Sequence, residues 1–338
     1  EGGVLQIEGN STIGINRALD VAGTLELDNS TMRMQKTGGK ITAGGAAIFR
    51  DGRVEIPRFN DMLVSGLLDA ERTRFEGVAA GETPDTLVLA AGSESTFYRC
   101  ALLNLEVRIA GTASFDACDI LNPVLAPVTI TGESPVVIER SNLADPDDAL
   151  ELDAVVNLGA TEVTATDNYW GAADGPAGEG LDGSGRGVSG PVAVEPFLTD
   201  PVTFQPPRVL AHTPEGETPA PVDTLVVRLD RAIDTATFTT EDVLLTAPDA
   251  STIPIHTVEY RRAEEGGAVQ HLWTLSFAAQ DAVGTYTLAV GPDIATVVDV
   301  PLDQDDDGTA GEPEEDVYTG SFTRFETGER PQAALEYT

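Results

Sequence analysis

The sequence predicts an all-β chain in which a β-solenoid is followed by a β-sandwich. Three observations support this prediction. The apolar residues are mostly Val, Leu, Ile and Ala, they stand among 34 Gly and 21 Pro, and few segments show a helical period. A short apolar pattern recurs through residues 1–200, and longer alternating segments follow it. A length of 338 residues suits about two such domains.

The recurring pattern is an apolar residue, a small residue three positions later and a second apolar residue two positions after that. It is clearest where Ser95–Leu102 recurs as Ala113–Ile120, with Phe, Cys and an aliphatic residue at the same offsets. The copies are Leu27/Ser30/Met32, Phe49/Gly52/Val54, Phe97/Cys100/Leu102, Phe115/Cys118/Ile120, Ile138/Ser141/Leu143 and Ala165/Asn168/Trp170, with a weaker copy at Phe75/Val78. Their first positions lie 18 to 27 residues apart, which suits one coil of a β-solenoid and is too short for a helical hairpin.

The two cysteines occupy equivalent positions in neighbouring coils. The Cα atoms of Cys100 and Cys118 are therefore expected about 4.8 Å apart, which lies within the disulfide range. Two interpretations stay open, a disulfide between the coils or two reduced thiols packed in an internal ladder. Stacked side chains that point the same way rarely reach the disulfide torsion, and this favours the reduced thiols.

The segment Ala165–Gly171, followed by Gly175–Gly178 and Val192–Leu198, resembles the closing coil of right-handed parallel β-helix proteins, many of them secreted by bacteria. The resemblance covers about residues 1–200 and implies this fold there. We expect Asn168 to hydrogen-bond the backbone of its own bend and Trp170 to cover the apolar end of the core. The side chains expected to point inward include Phe97, Phe115, Ile138, Cys100 and Cys118.

A domain boundary is predicted at residues 199–207, where three prolines interrupt the strand pattern. Beyond it, six or seven alternating segments predict a β-sandwich. The wording of three segments resembles the bacterial Ig-like domains of surface and secreted proteins, which are mostly spacers or adhesive modules. These segments are Leu229–Asp234, Phe238–Val243 and Gly284–Leu288. The resemblance implies an Ig-like β-sandwich over residues 207–325, and residues 326–338 are expected to form a tail or linker.

The chain is strongly acidic. Its net charge is −36, from 56 acidic and 20 basic residues, and only Lys36 and Lys40 are lysines. Such a charge makes nucleic acid an unexpected partner, because phosphate binding needs a basic face. It attracts divalent cations and favours either a salt-adapted source or an extracellular protein. The chain has no apolar run long enough for a membrane helix. It opens without a basic, apolar leader, so we expect a mature protein or an excised fragment. The expected location is extracellular, secreted or on the cell surface.

An enzymatic interpretation depends on the outward side chains that follow the first apolar position of each repeat. In order they are Asp28, Arg50, Glu76, Tyr98, Asp116, Glu139 and Thr166. Asp116 and Glu139 would be neighbours on adjacent coils, and paired carboxylates are the groups that acid–base glycoside chemistry uses. The column holds no His and no run of basic residues, and a solvated charged face also explains it. A polysaccharide lyase or glycoside hydrolase with an Ig-like accessory domain is therefore the alternative interpretation.

The favoured interpretation is a non-catalytic extracellular structural or adhesive module of a larger surface protein or filament. Coils of 18 to 27 residues leave little room for the long loops that usually build a substrate cleft. The first coil would present an unpaired strand edge, which predicts docking end to end with neighbouring modules or copies of the chain. A fragment whose cap was removed explains the same edge, and cell-surface glycans are a further class of partner.

Residues Asp303–Glu314 have the spacing of a calcium loop, with oxygen ligands at the first, third and fifth positions, Gly at the sixth and an acid at the twelfth. The predicted ligands are the side chains of Asp303, Asp305 and Asp307, the carbonyl of Thr309, and Glu312 or Glu314. Strands rather than helices are expected on both sides, at Val297–Val300 and Val317–Gly320. Calcium would relieve the repulsion between the carboxylates, whereas a solvated acidic turn is the alternative in a chain so rich in acids.

Overall fold

The structure, a computed structural model, describes residues 3–8, 11–15, 18–34, 40–56, 61–77, 85–121, 127–144, 152–265, 268–296 and 299–326. It divides into two compact units, Glu1–Phe204 and Gln205–Thr338. The regular structure of the described residues is β apart from one short 3₁₀ turn, Thr240–Asp242, which confirms the predicted all-β class. No helix in these ranges is long and apolar enough to cross a membrane. Val78 and the predicted tail from residue 327 lie outside them.

The first unit is a stack of β-coils. In chain order its strands are β1 (Val4–Ile7), β2 (Thr12–Ile15), β3 (Ala18–Val21), β4 (Thr24–Asp28), β5 (Thr31–Met34), β6 (Lys40–Ala43), β7 (Ala46–Arg50), β8 (Arg53–Ile56), β9 (Asp61–Val64), β10 (Leu67–Glu71), β11 (Arg74–Gly77), β12 (Asp85–Leu89), β13 (Glu94–Tyr98), β14 (Ala101–Leu103), β15 (Leu105–Ile109), β16 (Thr112–Asp116), β17 (Asp119–Leu121), β18 (Val128–Ile130), β19 (Val136–Glu139), β20 (Asp153–Asn157), β21 (Val163–Thr164), β22 (Pro176–Gly178), β23 (Leu181–Asp182), β24 (Gly185–Ser189) and β25 (Val192–Ala193).

These strands form three sheets that enclose one core. The nine-stranded sheet has the order β1-β4-β7-β10-β13-β16-β19-β21-β25, the six-stranded sheet β17-β14-β11-β8-β5-β2, and the ten-stranded sheet β23-β22-β24-β20-β18-β15-β12-β9-β6-β3. Neighbours are typically three strands apart in the chain, so a complete coil gives one strand to each sheet. The six-stranded sheet ends at β17, and among the described residues the two later coils continue it only through isolated bridges at Asn142 and Tyr169. The pairs are parallel except for the hairpin of β22 and β23. This arrangement confirms the predicted β-solenoid; the hand of its coils stays a prediction.

Inward side chains stack in register from coil to coil. Phe97 pairs with Phe115, and Phe115 pairs with Ile138. The ring centroids of Phe97 and Phe115 lie 4.5 Å apart with planes only 6° from parallel. These three residues and both cysteines are buried in the same hydrophobic core, as predicted. The thiols of Cys100 and Cys118 are free.

After β4, β7, β10, β13, β16, β19 and β21 the chain leaves the nine-stranded sheet through a residue in the left-handed backbone region. These residues are Asn29, Asp51, Arg72, Arg99, Ala117, Arg140 and Asp167, with φ between 45° and 56°. The small residue of the repeat comes next, and where it carries a hydroxyl its side chain donates to the carbonyl oxygen two residues earlier. The distances are 3.0 Å from Ser30, 3.1 Å from Thr73 and 2.8 Å from Ser141. A small polar side chain recurs here because it satisfies a carbonyl that the bend exposes.

One copy of the repeat was assigned to the wrong strand. Ala70 pairs in register with Phe49 on one side and Phe97 on the other, so it takes the position assigned to Phe75. This coil therefore contains Ala70, Thr73 and Phe75 as its repeat. An alanine does not stand out as an apolar position in the sequence, whereas the phenylalanine five residues later does.

Phe75 occupies the third position of the repeat and pairs with Val54 and Leu102. Its ring fills the space beside the small Ala70, since its centroid lies 5.8 Å from that of Phe49 and 5.7 Å from that of Phe97. The outward residue of this coil is consequently Glu71, and Glu76 lies in the six-stranded sheet.

Asn168 hydrogen-bonds the preceding coil rather than its own bend, contrary to the prediction. Its Nδ2 donates to the carbonyl of Ile138 at 2.6 Å, and its Oδ1 accepts from the amide of Ser141 at 2.9 Å. The hydroxyl of Ser141 also accepts from the preceding coil, from the amide of Cys118 at 3.0 Å, but it donates within its own bend. The carboxamide of Asn168 directs both its donor and its acceptor to the preceding coil. It therefore ties the last regular bends of the solenoid together.

Trp170 is fully buried, but it does not end the core as expected. The core continues beyond it through Val188 and Val194, on the chain that forms β24 and follows β25. The amide of Arg186 donates to the backbone carbonyl of Trp170 at 2.7 Å, which joins the later chain to the backbone of this residue. The ring is thus an interior layer of the solenoid.

The second unit contains two sheets. Its strands are β26 (Val209–Thr213), β27 (Gly216–Thr218), β28 (Val222–Leu229), β29 (Val243–Thr246), β30 (Thr252–Ile253), β31 (Ile255–Glu265), β32 (Ala268–Gln280), β33 (Gly284–Val290) and β34 (Tyr318–Arg324). The orders are β26-β28-β32-β31 and β27-β34-β33-β29-β30, antiparallel except for β27 with β34. Both sheets contribute buried aromatic side chains to one core, Trp273 from the first and Tyr286 and Phe322 from the second. This arrangement is consistent with the predicted sandwich.

A buried histidine links the two sheets of this unit. Nδ1 of His212, on β26, lies 2.8 Å from the hydroxyl of Tyr318, and its Nε2 lies 3.2 Å from the carbonyl of Ser321, both on β34. The imidazole lies directly over Gly320. A β-carbon at Gly320 would stand 2.4 Å from Cε1 of His212, so only glycine fits under the ring.

Candidate functional site

The structure brings Asp116 and Glu139 together. They are in-register partners on β16 and β19, at the outward end of the nine-stranded sheet. Arg140 binds both carboxylates: its Nε lies 2.8 Å from Oδ1 of Asp116, and its Nη1 lies 3.3 Å from Oε2 of Glu139. The two carboxylates therefore share one guanidinium on a solvated surface.

This geometry resembles a surface ion-pair cluster more than an acid–base pair. The neighbouring carboxylates raise the pKa of Arg140, with Asp116 the largest cause and with Glu139 and Asp167 adding to it. The side chain of Arg140 is 54% exposed, so the cluster is open to water. Retaining glycosidases instead keep two carboxyl groups facing one scissile bond, with one of them protonated.

Two further charged residues of the column, Arg50 and Glu71, are also ion-paired. Arg50 binds Asp69 and contacts Glu71 at 3.6 Å. Tyr98 is 40% exposed, and the guanidinium carbon of Arg99 lies 5.1 Å from its ring centroid. Arg50 thus lies between acidic side chains of this face, whereas the adjacent acids Asp116 and Glu139 are both paired with Arg140.

The acidic loop of the second unit has two buried carboxylates at its base. Oδ1 and Oδ2 of Asp303 accept from the amides of Asp306 at 2.7 Å and Gly308 at 3.2 Å. Those of Asp316 accept from the amides of Gln304 at 2.7 Å and Glu312 at 2.8 Å. Asp316 closes the loop by binding both of its sides.

The carboxylates of this loop fall into two overlapping groups. Oxygen atoms lie within 4.8 Å of one another in the group Asp303, Asp305 and Asp316, and again in the group Asp305, Asp307 and Glu315. The predicted ligands Asp303, Asp305 and Asp307 are thus gathered around Asp305. Asp316 and Glu315 were missed because the calcium-loop spacing ends at the twelfth position, before either residue.

The remaining predicted ligands lie at the margin of these groups. Oε2 of Glu312 is buried and accepts no hydrogen bond. Burial raises the pKa of the Glu312 carboxyl, and the negative charges of Glu315, Asp307, Asp316 and Asp305 raise it further. A bound cation would stabilise the charged form of this carboxylate, which burial and the neighbouring negative charges disfavour.

Four further predictions concern two ligands, Glu314 and Thr309, and the strands on either side of the loop. Glu314 is exposed and belongs to neither group, and the amide of Thr309 donates to Oδ1 of Asp307 at 2.7 Å. The strand expected at Val297–Val300 is absent from its described part, because Asp299 has a φ of 58° and forms a turn; Val297 and Val298 lie outside the described residues. The strand expected after the loop is present as β34.

A positive charge already lies beside the loop, but outside the carboxylate groups. Nε of Arg208 donates to the carbonyl of Asp303 at 3.0 Å, and its Nη2 pairs with the exposed Asp306. Asp306 is in neither group, so Arg208 leaves their charge uncompensated. The loop therefore offers five grouped carboxylates, and their oxygen atoms are the ligands that Ca²⁺ prefers.

Comparisons with known proteins assign no family to this chain. No family model matches it, and no curated protein matches it. Among solved structures, the N-terminal part of the bacterial S-layer protein SbsC is similar over 36% of this chain, at 16% sequence identity and a TM-score of 0.23. The similarity spans 24% of that protein's chain. At this TM-score it bears on neither the fold nor the function.

Proposed function

We propose that this chain is a non-catalytic structural module of a larger extracellular surface protein or filament. The observation that carries the proposal is the shared salt bridge of Arg140 with Asp116 and Glu139. These two carboxylates are the candidate catalytic groups of the enzymatic interpretation. In the structure both pair with Arg140, and this joins neighbouring coils. The solenoid supplies a rigid rod with a continuous hydrophobic core, which suits a spacer.

The location and the partners belong to the same proposal. A surface with a net charge of −36 stays hydrated outside the cell, and it repels nucleic acid. The second unit acts as an Ig-like spacer or adhesive module. Neighbouring modules or copies of the chain pair with its strand edges, and cell-surface glycans are a second class of partner.

The test is a screen for cleavage of pectin, alginate and neutral glycans by the full chain. We expect no turnover with the wild-type protein or with the variant Asp116→Asn. Turnover that Asp116→Asn abolishes, and that Asp28→Asn in the same column leaves unchanged, would instead establish the carbohydrate-active enzyme. That alternative is favoured by one observation, the in-register placement of Asp116 beside Glu139.

We further propose that the acidic loop binds one calcium ion. Asp303, Asp305, Asp307 and Asp316 are the proposed ligands, with Glu312 or Glu315 completing the shell. The support is the convergence of these oxygens, together with the buried, unpartnered Oε2 of Glu312. A bound ion would replace the repulsion between the carboxylates with attraction.

Thermal unfolding of the full chain in millimolar CaCl₂ and in chelator tests this site. A ligand at a hundred times its Kd adds about 2.7 kcal/mol of stability, so calcium should raise the unfolding temperature of the second unit. The exposed Asp305→Asn should remove most of this gain, whereas Glu241→Gln, an exposed acid of the same unit, should keep it. Equal unfolding temperatures in calcium and chelator, at matched ionic strength, would contradict the proposal.

A further inference from the structure

The two cysteines form a pair of thiols inside the solenoid. Cys100 and Cys118 have no exposed surface and stand in the same column of adjacent coils, between the stacked rings of Phe97 and Phe115 and the strands β14 and β17. The thiol of Cys118 lies 3.4 Å from the carbonyl oxygen of Asp116 and 3.6 Å from that of Phe97. In other coils the column holds a hydroxyl that makes the equivalent backbone contact, as Ser30 does.

The spacing of the column suits a bridging ion better than a disulfide. In-register strands lie about 4.8 Å apart, so parallel side chains hold their sulfur atoms at about that distance. Two collinear bonds of about 2.3 Å, the usual metal–thiolate length, span about 4.6 Å. A disulfide needs sulfur atoms about 2.05 Å apart and Cβ atoms about 3.8 Å apart, which would pull two packed coils together.

Charge selects the class of ion. The surroundings of the pair are apolar, with Leu102 and Ile120 on the following strands. A divalent ion that displaces one proton from each thiol leaves a neutral complex, with both protons released to solvent, and so places no net charge in the core. Burial raises the pKa of the Cys118 thiol well above its usual range, and the Cys100 thiol raises it further, so a free thiolate is disfavoured.

We propose that Cys100 and Cys118 form a two-coordinate site for a soft divalent cation of closed d shell, bound linearly between adjacent coils. Thiolates are soft ligands and select such ions over Ca²⁺ and Mg²⁺. The site is distinct from the acidic loop, which offers only oxygen atoms. Because neither sulfur is exposed, the ion enters while the chain folds or when the coils open transiently.

The test uses mercuric chloride as the probe and the full chain, unfolded, reduced with a phosphine and refolded with or without one equivalent of the ion. We expect one retained mercury per chain after competition with a monothiol, two sulfur neighbours at one distance by X-ray absorption, and an unfolding temperature raised by at least about 5 °C. Cys100→Ser and Cys118→Ser are matched variants, because serine occupies this column in other coils. Each should refold, lose its mercury to the monothiol and show no rise.

Two outcomes would overturn the proposal. The first is mercury-loaded wild-type chain that fails to recover its β-sheet circular dichroism or unfolds at a lower temperature than the metal-free chain. The second is retention of mercury by either single variant, which would show that one sulfur suffices. The metal-free variants give the baseline, so a folding defect in either variant is separated from loss of the ion.

Discussion

Phe75 packs its ring against that of Phe97, with centroids 5.7 Å apart, although the two residues occupy different positions of their coils. The contact exists because Ala70 stands in the column between Phe49 and Phe97. In the preceding coil the large residue is Phe49 and the small one is Val54. In these two coils the large and the small side chain thus exchange positions within the core layer.

The double variant Ala70→Phe/Phe75→Val should recover most of the stability that each single substitution removes. Phe75→Val should destabilise by about 2–4 kcal/mol through the cavity it leaves, and Ala70→Phe by about 1–3 kcal/mol through overpacking. The double variant recreates the preceding coil, so we expect a favourable coupling of about 1–3 kcal/mol in urea unfolding. Ala70→Phe combined with the distant Ile138→Val should be additive within about 0.5 kcal/mol. Additivity of the Ala70→Phe/Phe75→Val pair would contradict the packing.

Ala117→Gly should stabilise the solenoid. Ala117 has a φ of 53°, a conformation that costs an L-residue about 1–2 kcal/mol and costs glycine little. After the greater chain entropy of glycine is subtracted, we expect a gain of about 0.5–1 kcal/mol in urea unfolding. Ala113→Gly, four residues earlier on β16, is the control and should destabilise by about 1 kcal/mol. A loss of stability from both changes would show that the bend is not strained.

Gly320→Ala should destabilise the second unit by about 2–3 kcal/mol through overpacking. The new methyl group would stand 2.4 Å from Cε1 of His212, and hydrogen bonds to Tyr318 and Ser321 hold the ring in place. Removing the ring with His212→Ala costs its own contacts but leaves space for the methyl group. We therefore expect the double variant to be less destabilised than the sum of the two in thermal unfolding, and an additive result would refute the clash.

Glu133→Gln should flatten the acid side of the stability profile. Oε1 of Glu133 accepts from the amide of Ala160 at 3.0 Å, and Oε2 accepts from the amide and hydroxyl of Thr161, each at 3.0 Å. The amide of Ala160 is the largest cause that lowers the pKa of this carboxyl below the ordinary value of 4.5, followed by Thr161.

A lowered pKa in the folded state means that the contribution of Glu133 is complete above about pH 4.5 and is lost as the pH falls through the folded value. Urea unfolding from pH 6 to pH 3 should therefore show a shallower loss in Glu133→Gln than in the wild type. The exposed Glu179→Gln should follow the wild-type profile. Identical slopes for all three proteins would remove this carboxylate from the account of acid stability.

The repeat could be predicted from the sequence because each coil repeats the same inward pattern of apolar and small residues. The prediction failed at Ala70, where the ring of Phe75 fills the core space that a larger side chain fills in other coils. A pattern that requires a large apolar residue at one position does not detect this exchange. It failed again at Asn168, because the partner of a long polar side chain depends on the distance to the next coil. Both failures concern contacts between coils, which a pattern within one coil does not contain.

The candidate sites show the same limit. Asp116 and Glu139 were predicted as neighbours from the repeat alone, but Arg140 between them depends on the left-handed bend that turns its side chain toward both. In the acidic loop, Asp303 and Asp305 follow a spacing rule. Asp316 enters only because the loop folds back and its carboxylate binds the amides of Gln304 and Glu312.

The left-handed bends of the solenoid have a further consequence for its evolution and redesign. Their seven residues include Asn, Asp, Arg and Ala, so the backbone conformation, and not the side chain, is common to all of them. These bend residues are therefore equivalent positions that repeat about every 4.8 Å along the solenoid. Neighbouring bends can interact, since Arg72 forms a salt bridge with the buried Asp51 of the preceding coil. A charge or chemical group grafted at one bend must therefore suit the bends beside it. Inserting or deleting one coil would move every later bend residue along the solenoid by the spacing of one coil. The spacing between neighbouring bends would stay the same.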